Sequence, residues 1–260
     1  MPVFFTPQYA VVGAGVAGIA AIEALRSVDA EGPILLINGE DVSPYCRPLI
    51  IEELTGEREG DAIRLRDAAW YRNHGVELLT GDPACALDPA EKMLTLESGR
   101  TVQFEKLLVA TGSTPFTPGI EGLDGAPAAT LFCRDDVAKL KPLCGEGGNA
   151  VVLGMGLIGL QAIKAIKALG MSVTAFEMAD RVLPLILDRE AAALAQQRLE
   201  GAGVDVRTNA SVASVTKNGP GWAAESGEGE KIPVDVMVVA AGRRPATGLF
   251  AGTGVAITGG

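Results

Sequence analysis

Tyr9-Ala-Val-Val-Gly13-Ala-Gly15-Val-Ala-Gly18 and Ala150-Val-Val-Leu-Gly154-Met-Gly156-Leu-Ile-Gly159 carry one signature twice. In each, a short apolar run enters G-x-G-x-x-G and continues into helical spacing. A second apolar run follows, Ile34-Leu-Leu-Ile37 in the first copy and Val173-Thr-Ala-Phe176-Glu177 in the second. Strand, glycine loop, helix and strand in this order predict a βαβ unit with a parallel sheet. The first glycine permits the tight turn, the second lets backbone approach a pyrophosphate, and the third lets helix and strand pack closely. The pyrophosphate then meets free N–H groups at the positive end of the helix. The candidate contacts are Gly13, Gly15 and Gly18 in the first copy, and Gly154, Gly156, Leu157, Ile158 and Gly159 in the second. Two loops predict two dinucleotides, the arrangement in which a nicotinamide and a flavin exchange a hydride.

An acidic residue about 20 positions beyond the glycines reads the ribose hydroxyls. In the second copy it is Glu177, directly after Phe176. A carboxylate there accepts from a 2′-hydroxyl and repels a 2′-phosphate, and the next cation, Arg181, comes only after Met178, Ala179 and Asp180. NADH is therefore expected rather than NADPH. In the first copy Asn38 holds the acidic position and Glu40 lies two residues on. Glu40 is the expected ribose ligand of FAD, with Asn38 second.

Composition limits the partners. The 260 residues have a formal net charge of −10 and 48% hydrophobic content. Phosphate polymers and anionic membranes need clustered Lys and Arg, so nucleic acid and membrane are not expected partners. No stretch approaches the roughly 20 apolar residues of a membrane span. No signal peptide is read, and the expected location is cytoplasmic. The four cysteines, Cys46, Cys85, Cys133 and Cys144, form no C-x-x-C pair, and His74 is the single histidine. Neither a disulfide framework nor a metal site is expected.

Along the chain, residues 61–74 read as an amphipathic helix and Gly75–Leu79 as a strand. Residues 92–96 and 101–104 around Ser98-Gly99 read as a β-hairpin. Lys106-Leu-Leu-Val-Ala110 is a continuous apolar run suited to a buried parallel strand. Ser113-Thr-Pro-Phe-Thr-Pro-Gly119 reads as a crossover linker. Beyond it the spacing predicts a helix at Asp135-Asp136, strand 150–153, a helix from Leu157 to near Gly170, and strand 173–176. A helix over 188–200, strands at 204–207 and 211–215, a hairpin, and strand 235–240 complete the pattern.

Four stretches carry a family resemblance: the first glycine motif, Pro44-Tyr-Cys-Arg47-Pro48, Leu107-Leu-Val-Ala-Thr111-Gly112, and the second glycine motif with Val238-Val-Ala-Ala-Gly242-Arg-Arg-Pro245. The chain resembles the FAD-dependent pyridine nucleotide-disulfide oxidoreductases of the glutathione-reductase-like fold. It looks nearest to NADH:rubredoxin and ferredoxin reductases, NADH oxidases and the flavin part of NADH-dependent nitrite reductases. The resemblance implies an α/β chain with two Rossmann-type dinucleotide-binding domains, parallel sheets and inserted antiparallel hairpins. Residues 1–118 would form part of an FAD domain, 119–243 an NAD(H) domain, and 244–260 a return segment. It also implies that Arg47, Pro48, Thr111 and Gly112 lie along FAD and that Gly242 lines the NADH site.

Three departures from that family stand out. No redox cysteine pair is visible, and Cys46 has no partner. Where relatives place a glutamate and a lysine near the flavin, this chain has Gln161 and Glu52, the candidate catalytic residues; Gln161 is expected to bond the nicotinamide carboxamide or Glu52 and to gate nicotinamide access. The family's Ala-Gly-Asp segment and C-terminal interface domain do not appear before Gly260, so a fragment that holds FAD weakly is expected. The expected parent activity is hydride transfer from NADH to flavin N5 and onward to an iron–sulfur or rubredoxin-type protein, oxygen or a nitrite-reductase centre. A non-catalytic nucleotide-binding subunit and a flavin monooxygenase are the alternatives.

Overall fold

A computed structural model describes residues 3–258. Its six α-helices are α1 Val16–Val28, α2 Ile50–Thr55, α3 Ala68–Asn73, α4 Arg134–Leu140, α5 Leu157–Ala168 and α6 Arg189–Gly201. The chain divides into two units. One comprises residues up to Arg47, Gly60–Thr114 and residues from Arg244 onward; the other comprises Pro48–Glu59 and Pro115–Arg243. Residues 48–59, read above with the first domain, therefore cluster with the second unit.

The first unit is built on four parallel strands in the spatial order Val76–Thr80, Ile34–Asn38, Tyr9–Val12 and Lys106–Val109. Alternate residues of the central strands enter opposite faces. Val11, Ile34 and Leu36 pack with Ile19, Ile22 and Tyr71, while Ala10, Val12, Leu35 and Ile37 pack with Leu94, Leu96 and Val102 of the antiparallel strands Met93–Leu96 and Thr101–Gln103 and with the adjoining Phe104. Burial on both faces explains why these strands read as unbroken apolar runs. Lys106–Val109 departs from its reading. Among the described residues it has a neighbour on one side only, and Leu108 is 38% exposed. The hairpin forms as read, Met93–Leu96 against Thr101–Gln103.

The expected helix over 61–74 is two pieces, a 3₁₀ turn at Gly60–Ile63 and α3. Tyr45 bridges Arg64, and the Leu65 N–H donates to the Pro44 carbonyl at 3.0 Å. These bonds hold the intervening chain extended. Asp67 then restarts a helix by accepting from the Trp70 N–H at 2.7 Å.

The second unit repeats the plan with five parallel strands, in the order Ala128–Thr130, Val236–Val239, Asn149–Leu153, Ser172–Glu177 and Val204–Thr208. One face packs on an antiparallel sheet of Val212–Asn218, Gly221–Ser226 and Lys231–Val234 through Val151, Leu153, Phe176, Val215, Ala224, Ile232 and Met237. The other face meets α5, which buries Ala162, Ile163, Ala165 and Ile166. In turn α2 packs on α5 and on α4. Buried Glu53 of α2 receives the guanidinium of Arg134 on α4 through both Nε, at 3.0 Å, and Nη2. The expected linker carries a strand, Ser113–Pro115, paired with Arg243–Pro245. Among the described residues no helix is long and apolar enough to cross a membrane.

Candidate nucleotide-binding sites

Strand Asn149–Leu153 ends on Gly154, whose φ of +93° lies in the left-handed region. A Cβ there would sit 2.4 Å from the Ala240 carbonyl oxygen. Gly159, inside the first turn of α5, is equally constrained, because a Cβ would lie 1.9 Å from the Gly154 oxygen. Gly156 is different. Its φ of −76° and ψ of −170° suit any residue, and a Cβ would meet no protein atom within 4 Å. Packing within the chain does not call for glycine here; what glycine does is keep open the space before the helix. That helix start has no side-chain cap, and its first bond runs from the Leu160 N–H to the Gly156 oxygen at 2.9 Å. The N–H groups of Leu157, Ile158 and Gly159 thus have no acceptor within the helix. Uncapped donors, the positive end of the helix and a space cleared by glycine fit a pyrophosphate.

The first loop repeats this geometry. Gly13 has φ +106°, and its Cβ would lie 2.2 Å from the Ala110 oxygen. A Cβ on Gly18 would lie 2.0 Å from the Gly13 oxygen, and one on Gly15 would meet nothing within 4 Å. The α1 start is also uncapped, and the Ile19 N–H donates to the Gly15 oxygen at 3.1 Å.

The acidic positions of the two copies behave unequally. Glu177 is half-buried beside its loop: Oε2 accepts from the Met155 N–H at 2.8 Å and Oε1 from the Ala179 N–H at 3.0 Å. Each oxygen keeps a further lone pair for a ribose hydroxyl. Asn38 is buried and donates through Nδ2 to the Glu40 and Val42 carbonyls, at 3.0 and 2.7 Å, so its amide shapes the turn. Glu40 accepts from the Tyr45 hydroxyl at 2.7 Å and pairs with Arg47, whose guanidinium lies 5.6 Å from the centre of the Tyr45 ring. Glu40 and Arg47, read from sequence as separate contacts, are therefore one cluster with Tyr45 between them.

The Thr111 hydroxyl donates to the Ala246 carbonyl at 2.8 Å, and the Ala246 N–H returns a 3.0 Å bond to the Gly112 carbonyl. Gly112 has φ +70°, and both residues hold the start of the return segment. Gly242, at φ +120°, is exposed and accepts from the Phe116 N–H at 2.9 Å. Pro48 is exposed in a 3₁₀ turn at Arg47–Leu49. The expected Gln161–Glu52 bond is not formed. Glu52 instead pairs with Arg58 Nε at 2.6 Å, and the side chain of Gln161, exposed on α5, makes no hydrogen bond among the described residues. Cys46 is a free thiol, and no cluster of His, Cys, Asp or Glu able to hold a metal occurs among the described residues.

The family model for pyridine nucleotide-disulphide oxidoreductases matches residues 7–260. The chain belongs to this family. A rubredoxin-NAD(+) reductase of Pseudomonas putida is 33% identical over 90% of this chain and 62% of its own length. The ferredoxin–NAD(+) reductase component of a biphenyl dioxygenase system from Paraburkholderia xenovorans is 32% identical over 95% of this chain and 60% of its own. The covalent complex of putidaredoxin reductase with putidaredoxin superposes with a TM-score of 0.90 at 27% identity, covering 99% of this chain and 63% of that one. The chain thus spans about three fifths of the length of these curated oxidoreductases.

Within this member of the pyridine nucleotide-disulphide oxidoreductases, sequence reading missed the loop beyond Glu177. Arg181 donates to Asp180 Oδ1 at 2.7 Å, to the Pro184 carbonyl at 3.1 Å and to the Leu187 carbonyl at 3.3 Å. Arg189 reaches the other oxygen of Asp180 at 2.6 Å. The sequence showed Arg181 as a late cation but gave no signal that it folds back. The Asp180 carboxyl is pushed up by burial, and the two arginines more than offset this, holding it below its usual value.

Proposed function

We propose that this chain is the nucleotide-binding part of an FAD-dependent NADH oxidoreductase that supplies electrons to an iron–sulfur or rubredoxin-type protein. The observation that carries the reading is the repeated glycine loop, in which Gly15 and Gly156 each leave free space before an uncapped helix. When bound, FAD supplies an acceptor for the hydride of NADH at N5 and a donor of single electrons. In this reading the first loop receives the pyrophosphate of FAD on the N–H groups at the start of α1, and the second receives that of NADH at the start of α5. Glu177 accepts from the adenosine ribose and keeps the Met155 peptide in register. The cluster of Glu40, Tyr45 and Arg47, with Asn38 shaping its turn, lies along FAD, as do Pro48, Thr111 and Gly112. Gly242 lines the NADH site. The exposed amide of Gln161 bonds the nicotinamide carboxamide, while Arg58 holds Glu52 away from it.

The acceptor class is supported by the relatives, which are a rubredoxin reductase, a ferredoxin reductase and a putidaredoxin reductase. The cytoplasm, where NADH is generated, is the proposed location. The test is anaerobic. The protein is supplied with FAD, its visible absorbance is recorded, and NADH is added. Bleaching of a protein-bound flavin band, reversed by a ferredoxin or rubredoxin, is expected. Nucleotide binding without bleaching would replace this reading with a non-catalytic one.

A further inference from the structure

The loop beyond Glu177 carries Arg181, and α6 opens on Arg189; both are tied to one carboxylate. Asp180 divides its oxygens between Arg181 and Arg189. Arg181 spends its remaining reach on the Pro184 and Leu187 carbonyls, so all three guanidinium nitrogens are engaged. Its side chain is 29% exposed, whereas Arg189 is 80% exposed and rests on Asp180 alone among the described ion pairs. The loop is joined to the glycine loop. Met155 donates its N–H to Glu177 and accepts at its carbonyl from the Leu183 N–H at 3.0 Å. The ribose-facing carboxylate and the arginine-bearing loop thus grip opposite ends of the same residue.

A nucleotide carrying a 2′-phosphate needs cationic donors at the place where a 2′-hydroxyl meets Glu177. Such cations are present in the chain but are already neutralised. We propose that Asp180 is a specificity-determining residue: by sequestering Arg181 and Arg189 it keeps the second site selective for NADH over NADPH, in addition to the direct repulsion from Glu177. This rests on the reading of the second loop as the nicotinamide-dinucleotide site. Asp180 is a positioning residue, acting on the ligand through the arginines.

The test is a pair of direct binding titrations of the whole chain, NADH and NADPH, by calorimetry or nucleotide fluorescence. With Asp180→Asn the side chain keeps its shape and loses its charge. The expected result is a Kd ratio shifted towards NADPH by about tenfold, the value of one added charge-assisted hydrogen bond, with NADH affinity within about twofold of the parent. The gain should disappear in Asp180→Asn/Arg181→Gln or in Asp180→Asn/Arg189→Gln, and NADPH affinity should fall with added salt. An unchanged ratio overturns the proposal. So does equal weakening of both nucleotides, which would make Asp180 a loop support only. A gain that survives in both double variants also overturns it, because the arginines would then be uninvolved. If the parent chain binds neither nucleotide, the site reading itself fails, a result distinct from any of these.

Discussion

Gly156→Ala separates binding from folding. Its backbone conformation is open to alanine, and the new methyl group meets no protein atom within 4 Å. Replacing glycine at an unstrained position restricts the unfolded chain and stabilises by about 0.4–1 kcal/mol. At about 2–4 °C per kcal/mol for a chain of this size, the melting temperature should hold or rise by a few degrees. Binding should behave oppositely, because the methyl group occupies the space into which a pyrophosphate must come to reach the N–H groups of α5. Loss of one hydrogen bond to a charged group, about 1.5–3 kcal/mol, corresponds to roughly ten- to 150-fold weaker NADH binding. Gly159→Ala is the control, since its Cβ would lie 1.9 Å from the Gly154 oxygen and something in the backbone must shift. It should lower the melting temperature. Thermal unfolding and NADH titration on the two variants check both halves. A Gly156→Ala protein that binds NADH like the parent would refute the reasoning, as would one that unfolds as readily as Gly159→Ala.

Two further predictions concern stability. Arg134→Leu leaves the Glu53 carboxylate buried without its cation, and breaking such a pair costs about 3–5 kcal/mol, readable as an earlier denaturant midpoint; the double replacement Glu53→Leu/Arg134→Leu should recover much of that loss. Burial pushes the Asp82 carboxyl up, but the Ser98 and Arg100 bonds outweigh it and hold the group below its usual value. Asp82 therefore adds stability above the ordinary aspartate pKa, and that stability is lost as pH falls through the lowered value. Asp82→Asn should flatten the fall in stability below about pH 4, and an unchanged acid limb would count against this assignment.

The repeated βαβ units were legible because their signals are local. Glycine spacing, a run of apolar residues and one acid at the right distance lie within about 30 residues. What escaped were the outcomes set by partners far apart in sequence. The break in the helix over 61–74 depends on pairing of Arg64 and Leu65 with Tyr45 and Pro44, contacts that no helical spacing encodes. The apolar run Lys106–Val109 looked like an inner strand because composition reports what a strand is able to bury, not how many neighbours it has. Glu40 and Arg47 were read as two separate contacts, and their mutual pairing through a turn was not readable from charge alone. Gln161 and Glu52 show the same limit. Their helices do pack together, yet the partner Glu52 takes is Arg58, just beyond the end of its own helix.

The division of the backbone has a consequence for engineering. The polypeptide changes unit after Arg47, Glu59, Thr114 and Arg243. A gene segment for residues 119–243 would look like a portable NADH cassette, but it omits α2 and leaves Arg134 without Glu53. The shortest continuous stretch holding the whole second unit, Pro48–Arg243, necessarily carries Gly60–Thr114 of the other one. The two units are interleaved along the polypeptide, so neither is encoded as one continuous block.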